Sequence, residues 1–243
     1  MAIVEEAVYE ARAELYDRIY SFKDYRREVE RLRGMLHAEG VADGARVLDA
    51  ACGTGEHIAH LKQFFDVSGF DKNPAMLEVA RHKVPEVRLW QADLRDFTVE
   101  APMQAILCLF SSIGYLHEEE GLRACARSFA RALAPGGVLI LEPWLTPENC
   151  APGFPSMHTY SDDDLKLCRQ AVTEVIGDIS AFDMHWLVAR RDGEVEHFVE
   201  RHELRLYTGD AMRSALEAAG LEARFEPDGL MPKRGLWVGR KGA

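Results

Sequence analysis

Apolar and polar positions switch between two periods along most of the chain. From Arg46 to Pro143, short apolar runs of strand length alternate with stretches whose apolar residues recur three and four apart. The pattern predicts strand 46–51, helix 56–65, strand 67–71, helix 74–83, strand 87–90, strand 104–110, helix 119–133 and strand 137–142. Asn73 before Pro74 supplies an N-cap with proline at the first helical position. Strands alternating with helices imply a mainly parallel, doubly wound sheet. Upstream, residues 5–39 read as two helices joined near Ser21-Phe22-Lys23, with Val29, Leu32 and Leu36 on one face.

The alternation stops after Pro143. Pro147, Pro152, Gly153 and Pro155 mark an irregular crossing, and short strand-like runs follow from Thr159 to Tyr207. Residues 183–189 and 196–200 flank Arg191-Asp192-Gly193, a hairpin signal, so an inserted antiparallel sheet is expected. A helix over 209–219 and strands at 223–226 and 235–239 return the chain to the first sheet. The expected architecture is α/β: a doubly wound, mainly parallel seven-stranded sheet carrying an inserted antiparallel sheet. Its divisions are 1–143 for the N-terminal helices and cofactor-binding core, 144–207 for the insertion, and 208–243 for completion of the core sheet.

Composition narrows the function classes. The 243 residues are 47% hydrophobic and 28% charged, enough for one large domain or a domain with an insertion. No apolar stretch approaches the roughly 20 residues that span a bilayer, and Met-Ala-Ile-Val-Glu-Glu has no basic region before an apolar one. No membrane partner and a cytoplasmic location are therefore expected. The five cysteines are scattered without a C-x-x-C, which fits reduced thiols better than disulfides or zinc. A net charge of −11 disfavours a nucleic-acid surface. His57 and His60 lie one turn apart but lack a third ligand, so no metal site is expected.

The candidate chemistry centres on Arg46-Val47-Leu48-Asp49-Ala50-Ala51-Cys52-Gly53-Thr54-Gly55. A buried strand ends in an acidic residue and bends through Gly-Thr-Gly into a helix, where glycines let a ligand approach the backbone. Asp71 closes the next strand, about where an acidic residue grips a ribose in dinucleotide folds. The third glycine of a dinucleotide fingerprint is replaced by Ile58, and Asp49 would repel a pyrophosphate. A carboxylate there suits a cationic ammonium group, such as the amino-acid end of S-adenosylmethionine. An NAD-dependent oxidoreductase is the weaker rival.

The segment resembles motif I of the class I S-adenosylmethionine-dependent methyltransferases, with Ala51 in place of the first glycine. Gln91-Ala92-Asp93-Leu94-Arg95-Asp96-Phe97 and Ala134-Pro135-Gly136-Gly137-Val138 extend the match. Phe110-Ser111-Ser112-Ile113-Gly114-Tyr115-Leu116, Glu142-Pro143-Trp144 and Arg234-Gly235-Leu236-Trp237-Val238-Gly239 are more specific. With Glu14-Leu15-Tyr16-Asp17 and Lys23-Asp24-Tyr25, they resemble the N,N-dimethyltransferases of nucleotide-linked amino sugars.

That resemblance implies a Rossmann-like methyltransferase fold, S-adenosyl-L-methionine as cofactor, and a small-molecule acceptor of nucleotide-sugar type. Tyr25 is expected on the cofactor carboxylate, Gly53 beside its methionine part and Asp71 on the ribose. Asp93 and Leu94 are expected to read the adenine, and Asp49, Ala51, Met76 and Phe110 complete the cofactor set. Tyr115 is expected to face the accepting amine, in a catalytic set with Tyr16 and Glu142. Tyr9, Trp144 and Arg234 form the acceptor side, Arg234 meeting the diphosphate. Tyr115 packing against the cofactor and Glu142 capping nearby amides are the bland alternatives. Trp144-Leu145 departs from the family's paired tryptophans, and the insertion around 158–190 matches poorly. Another N- or O-acceptor and a non-catalytic cofactor-binding module stay open, and the insertion is expected to cover the site, form a homodimer contact, or both.

Overall fold

The computed structural model describes Ala13 and residues 15–243. Residues 15–19 are helical, and a second helix runs Tyr25–Ala38, capped by the Asp24 side chain on the Arg27 amide. The core then alternates: β1 (Arg46–Ala50), helix Glu56–Leu61, β2 (Asp66–Asp71), helix Pro74–Lys83, β3 (Arg88–Gln91), β4 (Met103–Cys108), a 3-10 turn Ser112–Tyr115, helix Glu119–Ala132 and β5 (Leu133–Leu141). After the insertion come helix Gly209–Ala218, β11 (Leu221–Glu226) and β12 (Leu236–Lys241).

The seven-stranded sheet has the order β11-β12-β5-β4-β1-β2-β3. All neighbours from β5 to β3 are parallel, and β12 runs antiparallel between β5 and β11. β1 and β4 are buried almost throughout, as expected of central parallel strands covered on both faces. One apolar cluster joins Leu48, Ile106, Leu122, Phe129 and Leu216 on the face of helices Glu119–Ala132 and Gly209–Ala218. A second joins Leu32, Leu36, Ile58, Leu107 and Ile140 on the opposite face.

The insertion is an antiparallel sheet of order β10-β9-β7-β6, made of β6 (Pro155–Ser161), β7 (Leu165–Val172), β9 (Ile179–Arg190) and β10 (Val195–Arg205); β8 (Glu174–Ile176) pairs with β9. Leu15 and Ile19 pack with Leu165, Leu167, Trp186, Val188 and Phe198 of this sheet, so the N-terminal segment rests on the insertion. The expected hairpin at Arg191-Asp192-Gly193 forms, with Asp192 at φ 59°. Two core boundaries lie four residues from expectation. The helix after β1 stops at Leu61 rather than 65, because the Gln63 and Phe64 amides donate three residues back, to His60 and Leu61, and tighten the last turn. β5 begins at Leu133 rather than 137, the Pro-Gly-Gly segment forming a register shift opposite Met103–Ala105. Among the described residues no helix is long and apolar enough to cross a membrane.

Candidate active site

The carboxyl ends of β4, β1, β2 and β3 share one sheet edge. The chain leaves β1 towards β2 on one side and later returns as β4 on the other, which opens a crevice at the switch point. Asp49 stands at this point, in register with Gly69 and Leu107. Its side chain is 2% exposed and its Oδ2 has no hydrogen-bond partner. Burial raises its pKa from 3.8 to about 7, with Asp71 adding to the rise and His57 opposing it. An unpaired buried carboxylate is costly, so this oxygen fits a cationic donor and repels a phosphate. The ammonium end of an amino-acid-bearing cofactor matches it.

The loop after β1 is held open from one side. Gly53 and Gly55 have φ 55° and 77°, and a Cβ on Gly53 would meet nothing within 4 Å. Asp71 Oδ2 accepts from the Gly53 amide at 2.8 Å and Oδ1 from the Asn73 amide at 2.8 Å. A carboxylate offers about four lone-pair positions, so Asp71 can fix the loop and still receive a ribose diol. Burial raises its pKa. Ile58, in the place of the third fingerprint glycine, is fully buried. The room it needs comes from the neighbouring strand: a Cβ on Gly69 would lie 2.6 Å from Ile58 Cδ1 and 3.2 Å from the Asp49 carbonyl. The sequence reading passed over Gly69 because it sits inside a strand pattern.

Three non-glycine residues at this edge adopt left-handed backbone: Ala51 (φ 60°), Phe110 (φ 55°) and Ser111 (φ 68°). Such strain, about 1–3 kcal/mol each, persists only where surroundings over-determine it and is concentrated at functional sites. Glu142 supplies the restraint. It is fully buried, Oε2 accepting from the Phe110 amide at 2.8 Å and Oε1 from the Met231 amide at 3.1 Å. Ser111 Oγ donates to the Pro143 carbonyl at 2.9 Å. Its complete burial between two main-chain donors matches the capping alternative rather than the catalytic role expected of Glu142.

Phe110 is the hub of the crevice. The Tyr20 ring meets it edge-on at 4.9 Å and the Tyr16 ring at 6.5 Å. The Lys23 ammonium lies 4.0 Å from its centre and the Arg234 guanidinium 5.4 Å. Arg234 also stacks 4.5 Å over Trp144. Arg234 Nη1 and Trp144 Nε1 are buried without partners, two donors that suit an anion. Burial lowers the pKa of both Lys23 and Arg234, and raises that of the Tyr16 hydroxyl well above its ordinary value. Lys23 pairs with Glu28 at 3.1 Å, and Glu28 in turn meets His57 Nε2 at 2.8 Å. Tyr25 packs edge-on against His57 at 5.0 Å, burial raising its pKa.

A polar clasp ties the N-terminal segment to the cofactor loop. Thr54 Oγ1 donates to Asp17 Oδ1 at 2.5 Å, and Lys83 donates to Asp17 Oδ2 at 2.7 Å and Glu56 at 2.5 Å. Tyr16 and Tyr20 are thereby held over Phe110.

The remaining expected residues divide by location. Asp93 lies just beyond β3, where its carboxylate accepts from the Arg95 guanidinium and amide, and the guanidinium lowers its pKa. Leu94 is buried beside it, and Met76 is buried in the first turn of helix Pro74–Lys83. Tyr115 ends the 3-10 turn, half-exposed, its hydroxyl 2.8 Å from His202 Nδ1. Tyr9, like Glu14, lies outside the described residues. Cys52 packs against the β2 side of the loop, and burial raises its thiol pKa far from nucleophilic use.

Sequence reasoning missed Lys23, Arg169 and His202 as parts of this region. Arg169 is buried in β7 and stacks 4.6 Å from the Tyr20 ring. His202 and Leu204 alternate onto the buried face of β10, so strand period alone is the signal that places the histidine inward.

The family model of a methyltransferase domain matches residues 47–137. The dTDP-3-amino-3,6-dideoxy-alpha-D-glucopyranose N,N-dimethyltransferase of Streptomyces fradiae is 36% identical, over 95% of this chain and 91% of that protein. DesVI of Streptomyces venezuelae superposes with a TM-score of 0.90 at 34% identity, covering 96% of this chain and 98% of that one. CalS10 of Micromonospora echinaspora, an amino pentose methyltransferase solved with S-adenosylmethionine bound, superposes with a TM-score of 0.84 at 31% identity, covering 99% of both chains.

Proposed function

Since the chain belongs to the S-adenosylmethionine-dependent methyltransferases, in the family of the nucleotide-linked amino-sugar N,N-dimethyltransferases, we propose that its acceptor is the amine of a nucleotide-linked aminodeoxysugar. The single observation that carries this reading is the pair of buried, unpartnered donors Arg234 Nη1 and Trp144 Nε1 beside Phe110. A diphosphate satisfies both, and it places the sugar on the acceptor side of that ring.

S-adenosylmethionine supplies an electrophilic methyl group. The chain's part is alignment, which can account for much of the rate of an in-line displacement between two bound partners. Asp49 receives the ammonium, Asp71 the ribose hydroxyls, and Lys23 with Tyr25 the carboxylate end. Asp93 and Leu94 frame the adenine. Tyr16, Tyr20 and Phe110 exclude water around the methyl group, and Glu142 keeps the Phe110 turn and the Arg234 segment in mutual register. Exposed apolar side chains on the insertion, Met157, Val172 and Leu187 among them, support a homodimer through this sheet, which sedimentation at graded concentrations tests.

The decisive assay incubates the enzyme and S-adenosylmethionine with dTDP-linked 3-amino and 4-amino deoxysugars, against a panel of simple amines and phenols. Mass spectrometry is expected to find one and then two added methyl groups on a nucleotide-sugar. Methylation confined to simple amines or phenols refutes the acceptor. Absence of S-adenosylhomocysteine binding by folded protein in calorimetry would contradict the cofactor site.

A further inference from the structure

We propose that Tyr115, His202 and Glu200 form a proton relay that takes up the proton released by the acceptor amine, an inference that rests on the amine acceptor proposed above. Tyr115 Oη lies 2.8 Å from His202 Nδ1. On the far side of the imidazole, His202 Nε2 lies 3.7 Å from Glu200 Oε2, a charge-pair distance rather than a hydrogen bond. Glu200 Oε2 accepts from Trp186 Nε1 at 2.8 Å, which fixes the carboxylate. His202 is 3% exposed and stacks on Phe182 at 5.6 Å with 19° between planes. Tyr115 alone of the three is half-exposed, so the series runs from an accessible phenol into a buried imidazole and carboxylate.

The bland reading is a polar contact that pins the 3-10 turn to β10. It leaves unexplained why a strand buries a histidine and a glutamate two residues apart on one face, aimed in series at one hydroxyl. Burying such groups is expensive unless they act together. Among the described residues, Tyr16 is electrostatically linked to Tyr115 and, on its other side, to Arg169. Arg201 and Glu203, on either side of His202, pair with each other at 3.2 Å.

The chemistry balances without an added reactant. Attack by the neutral amine forms the C–N bond as the methyl–sulfur bond breaks, and leaves a charged ammonium. Its N–H proton passes to Tyr115 Oη while the phenolic proton moves to His202 Nδ1. With Nε2 already protonated and facing Glu200, the imidazole becomes an imidazolium beside a carboxylate. The proton returns to solvent through the phenol after product leaves. A second methylation needs this step, because the secondary ammonium must become a neutral amine before it can attack again.

Two measurements test the relay. Tyr115→Phe and His202→Gln are expected to slow the second methylation of a dTDP-linked 3-amino-3,6-dideoxysugar by about 10²-fold near pH 7, with the first methyl transfer little changed. The deficit is expected to vanish as pH rises past the pKa of the amine, where solvent delivers it unprotonated. A deficit constant across pH, or none at neutral pH, overturns the relay. Tyr115→Phe keeps the ring and its packing, so it serves if His202→Gln fails to fold. Nitrogen NMR of the wild-type imidazole is expected to find His202 protonated on Nε2. Protonation on Nδ1 overturns the relay whatever the acceptor. If only a simple amine is methylated, the nucleotide-sugar reading falls, and the same pH profile on that amine judges the relay separately.

Discussion

Replacing Glu142 by glutamine separates a structural clip from a proton acceptor. The carboxylate is fully buried and accepts from the Phe110 and Met231 amides. Glutamine keeps one acceptor oxygen but turns an NH2 group towards the other amide, so two donors face each other. Losing a charged hydrogen bond costs about 1.5–3 kcal/mol, and an unsatisfied buried donor about 1–3 kcal/mol. The left-handed turn at Phe110 and Ser111 also loses its restraint. A total near 3 kcal/mol is expected, and at about 2–4 °C per kcal/mol for a chain of this length Tm falls by about 6–12 °C. Thermal unfolding and calorimetry with S-adenosylhomocysteine and dTDP provide the readouts. Affinity for both ligands is expected to weaken with stability, because Phe110 and Arg234 are displaced together. If Tm and both affinities are unchanged while kcat collapses, Glu142 is a proton acceptor and the clip is refuted.

The folded pKa of Asp49, about 7, lies above its ordinary 3.8, so the folded protein holds more protons between those values and its stability falls as pH rises through that window. Cofactor binding ionises this carboxylate and expels a proton near pH 6; calorimetry in two buffers of different ionisation enthalpy detects it, Asp49→Asn abolishes it, and equal heats in wild type contradict it. Arg234→Ala is expected to raise KM for the nucleotide-sugar and weaken dTDP binding at least tenfold, through a lost charged contact of about 1.5–3 kcal/mol, with S-adenosylhomocysteine affinity retained. Gly69→Ala drives a methyl against Ile58 Cδ1 and costs about 1–3 kcal/mol in thermal melts. Adding Ile58→Val removes that atom and is expected to restore part of the loss; a second, additive loss would refute the contact.

Local patterns carried most of the fold and half of the site. The strand–Asp49–Gly53–Gly55–helix series and Asp71 are legible because neighbouring residues in sequence build them, and the parallel sheet follows from the alternation of periods. The Phe110–Tyr115 segment is visible as a motif, but its strained backbone is not, since nothing in Phe-Ser-Ser demands φ above zero. Glu142 shows why: its partners at 110 and 231 are set by the register of β4, β5 and β12, which no local window contains. Lys23 and His202 are hidden for the same reason. A buried cation or imidazole is recognised by what surrounds it, and those surroundings come from strands far along the chain. The insertion follows strand periodicity well, whereas the side chains it turns towards Tyr20 and Tyr115 depend on how the sheet is set down.

The proposed site draws on two ladders. The candidate donor contacts between 49 and 111 belong to the parallel ladder or the loops at its edge, whereas Arg169, His202 and Glu200 hang from a sheet with a separate ladder. Remodelling 155–205 is therefore expected to be felt first at Tyr20 and Tyr115, which Arg169 and His202 touch, while the loop that Asp71 fixes keeps its own ladder.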